Sequence, residues 1–358
     1  MARTKNRPYT PPQKILERYA DVLVNFALNS GKGIKRGEVV RLTAGEFAKP
    51  LYMELHRSIL KAGGHVLANY FPDDDSKSFN PSRDFFELAN DAQLTFFPKT
   101  YLKGLVDTID HSLYVIADVD KEALKGVDPK KMMLRGEVYK PYKKWLEAKE
   151  NSGKFTWTVA LYGTPAGARE ARLSERAYWN QIIKACFLDK RSPVTEWRKV
   201  QKQMEVYRKK LNQLDAKTFH VYGPDVDLRI TFGEKRKWMG GSGRNIPSFE
   251  LFCSPDWRGT EGWIKFNQPL YRYGNLITGI ELEFENGRVV TARAQQNQHV
   301  LREMIKTTNA DKVGEFSMTD RRFSRITKFM AETLFDENMG GVTRQQPYCT
   351  RKCLSRWV

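Results

Sequence analysis

Residues 38–71, EVVRLTAGEFAKPLYMELHRSILKAGGHVLANYF, contain a strand, a helix and a second strand in direct succession. The runs 38–44 and 65–71 are rich in β-branched and other apolar residues, which is typical of strands. Between them, residues 49–64 have the pattern of a helix that ends on glycines. A crossover helix allows two successive strands to pair in parallel. This stretch therefore predicts an α/β fold built on a parallel sheet.

The same alternation continues on both sides of this unit. Residues 14–28 carry apolar side chains at helical spacing, and residues 111–119 and 154–165 have the composition of strands. We therefore expect an N-terminal parallel-sheet α/β domain over residues 14–180. A glycine fingerprint for a dinucleotide does not follow the first strand, so no nucleotide cofactor is indicated.

The second half of the chain changes from alternating elements to a run of strands. Helices are expected at residues 168–187, 194–214 and 299–308, and strands at residues 219–224, 227–234, 249–255 and 262–266. In residues 278–294, Asn286-Gly287 separates two alternating runs, which predicts a β-hairpin. We expect a C-terminal α+β domain over residues 181–341, with the change of domain near residues 175–190.

Length and composition limit the class of protein. A chain of 358 residues exceeds what one hydrophobic core usually fills, so two domains are expected. The sequence has neither a signal-peptide core nor a run of about 18 apolar residues, which excludes a membrane span. Four scattered cysteines do not form a disulfide framework, and this favours the reducing cytoplasm.

The chain carries a net charge of +18, which raises the question of nucleic-acid binding. Nearly half of this excess lies in residues 1–18 and in the tail, residues 342–358. A further basic run, residues 198–210, has the character of a solvated helix face. Because no known nucleic-acid module accompanies the charge, a nucleic-acid partner is not expected.

Three glutamates lie in apolar surroundings close to turn residues. They are Glu250 in NIPSFELFCSPDW, Glu315 in VGEFSMTD and Glu337 in LFDENMGG. Buried carboxylates are costly unless a cation lies among them, and two divalent ions could activate a water. The spacing alone also allows a structural explanation, in which Glu250 faces water, Glu315 pairs with Arg321 or Arg322, and Glu337 lies in a helix C-terminal turn.

The segments FHVYGPDVDLRITFG, RNIPSFELFCSPDW, VGEFSMTDRRFSRI and FMAETLFDENMGG resemble the thermophilic-type metalloaminopeptidases, the family of aminopeptidases T and S. The resemblance covers about residues 14–341 and implies an enzyme that releases N-terminal amino acids from peptides. It implies two divalent metal ions (zinc, cobalt or magnesium), with Glu250, Glu315 and Glu337 as ligands and Glu315 and Glu337 as catalytic candidates. It also implies a homodimer with an enclosed cavity. Phe249 departs from the family, which often has a small residue before the first glutamate.

The tail, VTRQQPYCTRKCLSRWV at residues 342–358, does not resemble the family. The family places a Gly-Asn-x-His motif with a metal-binding histidine soon after the last of these glutamates, and this chain has no histidine beyond His299. With a suitable choice of codons, a one-nucleotide shift of frame recovers the missing motif, which suggests a frameshifted, truncated and impaired enzyme. Reading Cys349 and Cys353 as a metal or redox pair is disfavoured, because three residues separate them and no partner is near.

A second hypothesis retains the aminopeptidase fold without peptidase activity. The chain would then be a catalytically dead aminopeptidase-fold scaffold, or a basic protein that binds nucleic acid. Bound divalent metal would favour the enzyme, whereas salt-dependent binding to nucleic acid without metal would favour the scaffold.

Overall fold

The computed structural model describes residues 8–73, 81–214, 216–319 and 322–339 as a mixed α/β fold. Its helices are α1 (Gln13–Val22), α2 (Lys49–Lys61), α3 (Pro81–Leu88), α4 (Asp91–Thr95), α5 (Lys99–Thr108), α6 (Pro129–Val138), α7 (Lys140–Asn151), α8 (Pro165–Glu170), α9 (Glu175–Ala185), α10 (Pro193–Gln213), α11 (Gln298–Lys306) and α12 (Thr333–Asp336). Its strands are β1 (Val39–Gly45), β2 (His65–Phe71), β3 (His111–Ile116), β4 (Thr156–Leu161), β5 (Thr218–Gly223), β6 (Val226–Thr231), β7 (Met239–Gly240), β8 (Asn245–Ile246), β9 (Glu250–Cys253), β10 (Asp256–Lys265), β11 (Leu270–Arg272), β12 (Asn275–Ile277), β13 (Glu281–Glu285), β14 (Arg288–Arg293) and β15 (Phe316–Thr319).

The N-terminal half is built on a parallel sheet with the strand order β2-β1-β3-β4-β8. Strand β1 pairs with β2 on one side and with β3 on the other, so the predicted strand–helix–strand unit is confirmed. The expected strands at residues 111–119 and 154–165 are also present, although each is shorter than expected. The predicted fold class, a parallel-sheet α/β region followed by an α+β region, is therefore confirmed.

The fifth strand of this sheet comes from the second half of the chain. Asn245 and Ile246 of β8 pair in parallel with Val159 and Ala160 of β4. The sheet thus takes its last strand from beyond residue 180, where the expected N-terminal domain ends. The division into residues 14–180 and 181–341 stays a prediction, and this crossing strand was not expected from the sequence pattern.

The second half contains mainly antiparallel pairs. A five-stranded sheet has the order β14-β13-β10-β6-β5, and a smaller one has the order β15-β9-β7. The predicted hairpin is confirmed, since β13 and β14 flank Asn286-Gly287 and both turn residues have positive φ. Strands β11 and β12 form a separate two-stranded hairpin.

Two helical regions differ from the sequence expectation. Residues 168–187 were expected as one helix, but the structure divides them between α8 and α9. Arg172 has positive φ at the break, and the Ser174 hydroxyl accepts the Ala177 N–H and so starts α9. Helices α3 to α7 were not expected, and neither α3 nor α7 contains a buried residue.

The larger hydrophobic core extends across both halves of the chain. It includes Leu42 and Leu113 of the parallel sheet together with Leu228, Phe316 and Phe335 of the second half. A smaller cluster of Leu105, Ile109 and Phe155 lies under α5. Among the described residues, no helix is both long enough and apolar enough to cross a membrane.

Candidate metal centre

Glu250 and Glu315 lie on two paired strands. Glu250 is the first residue of β9, and Glu315 directly precedes β15, which pairs antiparallel with β9 so that Thr319 lies opposite Glu250. Side chains alternate between the two faces of a sheet. Thr319 therefore shares a face with Glu250, and so does Ser317, two residues earlier on the same strand. If the alternation continues to the residue before β15, Glu315 lies on this face as well.

Both carboxylates are removed from solvent. Glu250 is 0% exposed and Glu315 is 1% exposed. The Ser317 hydroxyl donates to Glu250 Oε1 over 3.5 Å, the long limit of a hydrogen bond. The expectation that Glu250 might simply face water is therefore wrong, and the burial needs compensation by a cation, by a hydrogen-bond donor or by protonation.

Cys253 on β9 lies close enough to Glu315 for the two groups to interact electrostatically. Burial raises the pKa of the Cys253 thiol to about 12, and the nearby Glu315 carboxylate contributes to that rise. Cys253 therefore stays a neutral thiol at physiological pH, a poor nucleophile and a poor metal ligand. Of the groups on these two strands, the glutamates are the better metal ligands.

Glu337 follows α12 and is 6% exposed. The next residue, Asn338, ties this end of the chain to β9. Its Oδ1 accepts the Phe249 N–H at 2.7 Å, and its Nδ2 donates to the Leu334 carbonyl at 3.1 Å. The turn that carries Glu337 is thus fixed beside the residue that precedes Glu250.

Asp336 differs in role from its neighbour Glu337. Its two carboxylate oxygens accept the backbone N–H groups of Met330, at 2.7 Å, and Glu332, at 3.0 Å. These bonds close the turn before α12, which gives Asp336 a structural role. Sequence reasoning missed both Asp336 and Asn338, and the signal available was their place in the Asp-Glu-Asn triplet.

Phe249, the departure from the family pattern, fills space beside the site. Its ring stacks on Trp197 at a centroid distance of 5.3 Å and meets the edge of Phe187 at 6.3 Å. A cavity of about 30 Å³ lies between Trp197, Ser248 and Phe252. Phe249 therefore supports the start of β9 through aromatic packing, where a small residue would leave a void.

Two of the described histidines have partners outside the three glutamates. His111 lies between Glu38 and Thr156 at 2.9 and 2.8 Å, and His220 pairs with Asp227 on the strands β5 and β6. Within the part of the chain that the structure describes, no three His, Cys, Asp or Glu residues come close enough to hold a metal ion. The tail, with Cys349 and Cys353, lies outside the described residues.

Comparison with known proteins identifies the family. Residues 12–343 match the family model described as thermophilic metalloprotease (M29), so the chain belongs to that family of hydrolases. It is 26% identical over 346 residues to aminopeptidase PepS of Streptococcus thermophilus, covering 90% of this chain and 81% of the relative. It is 26% identical over 352 residues to aminopeptidase T of Thermus thermophilus, covering 90% and 82%. The resemblance noted from the sequence is thereby confirmed.

A solved structure shares the fold. Wild-type AmpT from Thermus thermophilus superposes with a TM-score of 0.76 at 24% identity, covering 91% of this chain and 83% of that chain. At this identity the likeness supports the fold, and it agrees with the predicted class.

Membership of a metalloprotease family implies a divalent metal ion, and the buried glutamates fit such an ion in kind. Carboxylate oxygens are hard ligands that suit divalent cations, and Glu250 and Glu315 share one strand face. The number of ligands is too small, however, because the described residues contain no group of three His, Cys, Asp or Glu side chains that could hold a metal ion.

Proposed function

We propose that the chain binds divalent metal through Glu250, Glu315 and Glu337 and has the activity of an aminopeptidase, in weakened form. The observation that carries the proposal is the burial of Glu250 and Glu315 on one face of β9 and β15. Asn338, the residue after Glu337, accepts the Phe249 N–H and so ties the segment that carries the third glutamate to the residue before Glu250. The relatives named aminopeptidase supply the reaction class, the release of N-terminal residues from peptides.

The three side chains would divide the work. We expect two divalent ions per chain. When bound, they would polarise a peptide carbonyl and lower the pKa of a water molecule. Glu250 would serve as a ligand only. A carboxylate oxygen of Glu315 or Glu337 would accept the proton that the water loses.

We propose that this site is weak because its donors are all oxygens. His111 and His220 have other partners, and among the described residues no histidine joins these acids in a group of three candidate metal ligands. A carboxylate-only set favours magnesium or calcium over zinc and cobalt, which prefer nitrogen donors. Peptides are the proposed substrates, while a homodimer and a cytoplasmic location stay predictions.

The test compares the chain with two matched variants. Glu250→Gln removes one buried charge at nearly constant shape, and Glu283→Gln makes the same change at an exposed position of β13. We expect the chain and Glu283→Gln to bind Mg²⁺ or Mn²⁺ measurably in calorimetry, and Glu250→Gln to lose most of that affinity. Hydrolysis of an aminoacyl-arylamide should be slow and abolished by a chelator.

The outcomes separate the parts of the proposal. Robust hydrolysis by the chain would refute the weakening and leave the metal site standing. Equal metal binding by Glu250→Gln would refute the role of Glu250. Absence of metal binding, together with salt-dependent binding of nucleic acid, would favour the scaffold hypothesis that the net charge of +18 raises.

A further inference from the structure

Lys121 is a buried lysine that sequence reasoning did not single out. It follows β3 in the loop at the carboxyl end of the parallel sheet, and its side chain is 8% exposed. Its Nζ donates to Asp118 Oδ2 at 2.7 Å and to Glu332 Oε2 at 2.6 Å. Burial alone would lower the Lys121 pKa, but Glu332 and Asp118 raise it above its ordinary value, so the side chain is charged.

The bond to Glu332 joins distant parts of the chain. The two residues are 211 positions apart, and the Glu332 side chain is also mostly buried, whereas Asp118 is half exposed. Glu332 directly precedes α12 and is its N-cap residue. Lys121 therefore links the loop after β3 to the short helix that precedes Glu337.

The contacts continue from Glu332 toward the candidate metal centre. The Glu332 N–H donates to Asp336, and Asp336 also receives the Met330 N–H, so the turn before α12 is closed on itself. The Tyr178 hydroxyl of α9 donates to the Met330 carbonyl at 3.0 Å. Glu337 directly follows Asp336, so the turn that Lys121 holds is the one from which Glu337 projects.

The opposite end of the same segment is fixed to β9. Asn338 accepts the Phe249 N–H, one residue before Glu250. Contacts of the segment 330–338 thus include Lys121 and Tyr178 near its start and Phe249 near its end. Of these three contacts, the one from Lys121 is an ion pair, and a change at Lys121 would remove it.

A buried ion pair is a poor way to gain stability, since apolar residues of the same volume often serve as well or better. In some proteins such a pair instead fixes one arrangement of the groups that it joins. We propose that Lys121 is a positioning residue for the metal centre, holding Glu337 in place through Glu332 and Asp336. This inference rests on the proposed function and deepens it.

The experiment replaces Lys121 with methionine, which keeps the length of the side chain and removes its charge. Lys125→Met is the matched control, because Lys125 lies in the same loop, is 60% exposed and pairs with Glu122 in water. Calorimetry with Mn²⁺ measures metal affinity, and hydrogen exchange read by mass spectrometry measures the order of peptides from 324–339, 249–253 and 281–293.

For Lys121→Met we expect a loss of metal affinity of about 10- to 100-fold, the range found for residues that orient metal ligands. Exchange should accelerate in peptides from 324–339 and 249–253, while the β13–β14 hairpin at 281–293 keeps its protection. Lys125→Met should change neither quantity. Unchanged metal affinity in Lys121→Met, against a chain that binds metal, would overturn the inference.

The exchange measurement keeps the two proposals distinguishable. If the unmodified chain binds no metal, the proposed function fails, and unchanged exchange at 324–339 in Lys121→Met would then also overturn the positioning role. Should Lys121→Met not fold, Glu332→Gln replaces it, since that variant keeps the side-chain shape and removes the partner charge. The same expected and contradicting results apply to it.

Discussion

The parallel sheet and the strand pair β9–β15 bury polar groups in different ways. In the sheet, His111 has a partner on each ring nitrogen at 2.8 and 2.9 Å, supplied by Thr156 and Glu38. On β9, the Ser317 hydroxyl reaches Glu250 over 3.5 Å. Short bonds on both ring nitrogens mark His111 as a structural residue, whereas Glu250 is a fully buried carboxylate on a strand face that it shares with a second buried carboxylate, Glu315.

The two regions also differ in how far apart in sequence their parts lie. The first four strands of the parallel sheet, β1 to β4, come from successive parts of the first half of the chain, while the candidate metal centre takes its glutamates from three separate segments of the second half. Substitutions around β9 should therefore act through partners that are distant in sequence. The following predictions test that expectation from the largest effect to the smallest.

The largest effect is expected from Phe249→Ala. Phe249 is 1% exposed and stacks on Trp197, so its loss removes buried area and leaves a cavity beside β9. We expect the free energy of unfolding to fall by about 3–5 kcal/mol in urea or thermal denaturation. Tyr222→Ala, an aromatic substitution at an exposed position, should change it by less than about 0.5 kcal/mol. Comparable losses in both variants would contradict the packing role.

A smaller effect is expected from Asn338→Ala. This change leaves the buried Phe249 N–H without the acceptor that it has at 2.7 Å. The expected loss is about 1–3 kcal/mol in the free energy of unfolding, measured by the same denaturation. Asn25→Ala, which removes an exposed bond to Asp21, is the control and should be nearly neutral. If Asn338→Ala were as stable as the unmodified chain, the hydrogen bond from Phe249 to Asn338 would not stabilise the protein.

The smallest effect concerns pH. Arg325 donates two hydrogen bonds to Asp189 and holds the pKa of that carboxyl below its ordinary value of 3.8. A depressed pKa in the folded state stabilises the protein above 3.8, and that contribution is lost as the pH falls through the folded value. The pair is partly exposed, so we expect at most about 1 kcal/mol between the chain and Asp189→Asn at pH 7.

The measurement for this pair is the difference in the free energy of unfolding between the two chains at pH 7, 4 and 3. The difference should shrink toward the lowest pH. A difference that stays constant across this range would show that Arg325 does not stabilise the charged form of Asp189.

Local pattern explains how much of the fold could be predicted. Strands β1 to β4 were predicted because each is a compact apolar run, and the β13–β14 hairpin because Asn-Gly suits its turn. Helix α4 was missed although Asn90 and Gln93 form a capping box at its start. Strand β8 has two residues and no pattern, and only pairing with β4 makes it a strand.

The candidate site was less accessible to sequence reasoning. Glu250, Glu315 and Glu337 were chosen through resemblance to a family, since their spacing alone allowed a structural explanation. Asn338 and Lys121 were missed because their partners lie 89 and 211 positions away in the chain. Only the folded chain brings such pairs together, and a single sequence does not report on them.

The most direct test of the central claim is anomalous diffraction from crystals of this chain soaked in cobalt, zinc or manganese. We predict an anomalous peak within bonding distance of carboxylate oxygens of Glu250, Glu315 and Glu337. Crystals that diffract well and show no peak beside any of the three would contradict the claim that these buried acids hold metal.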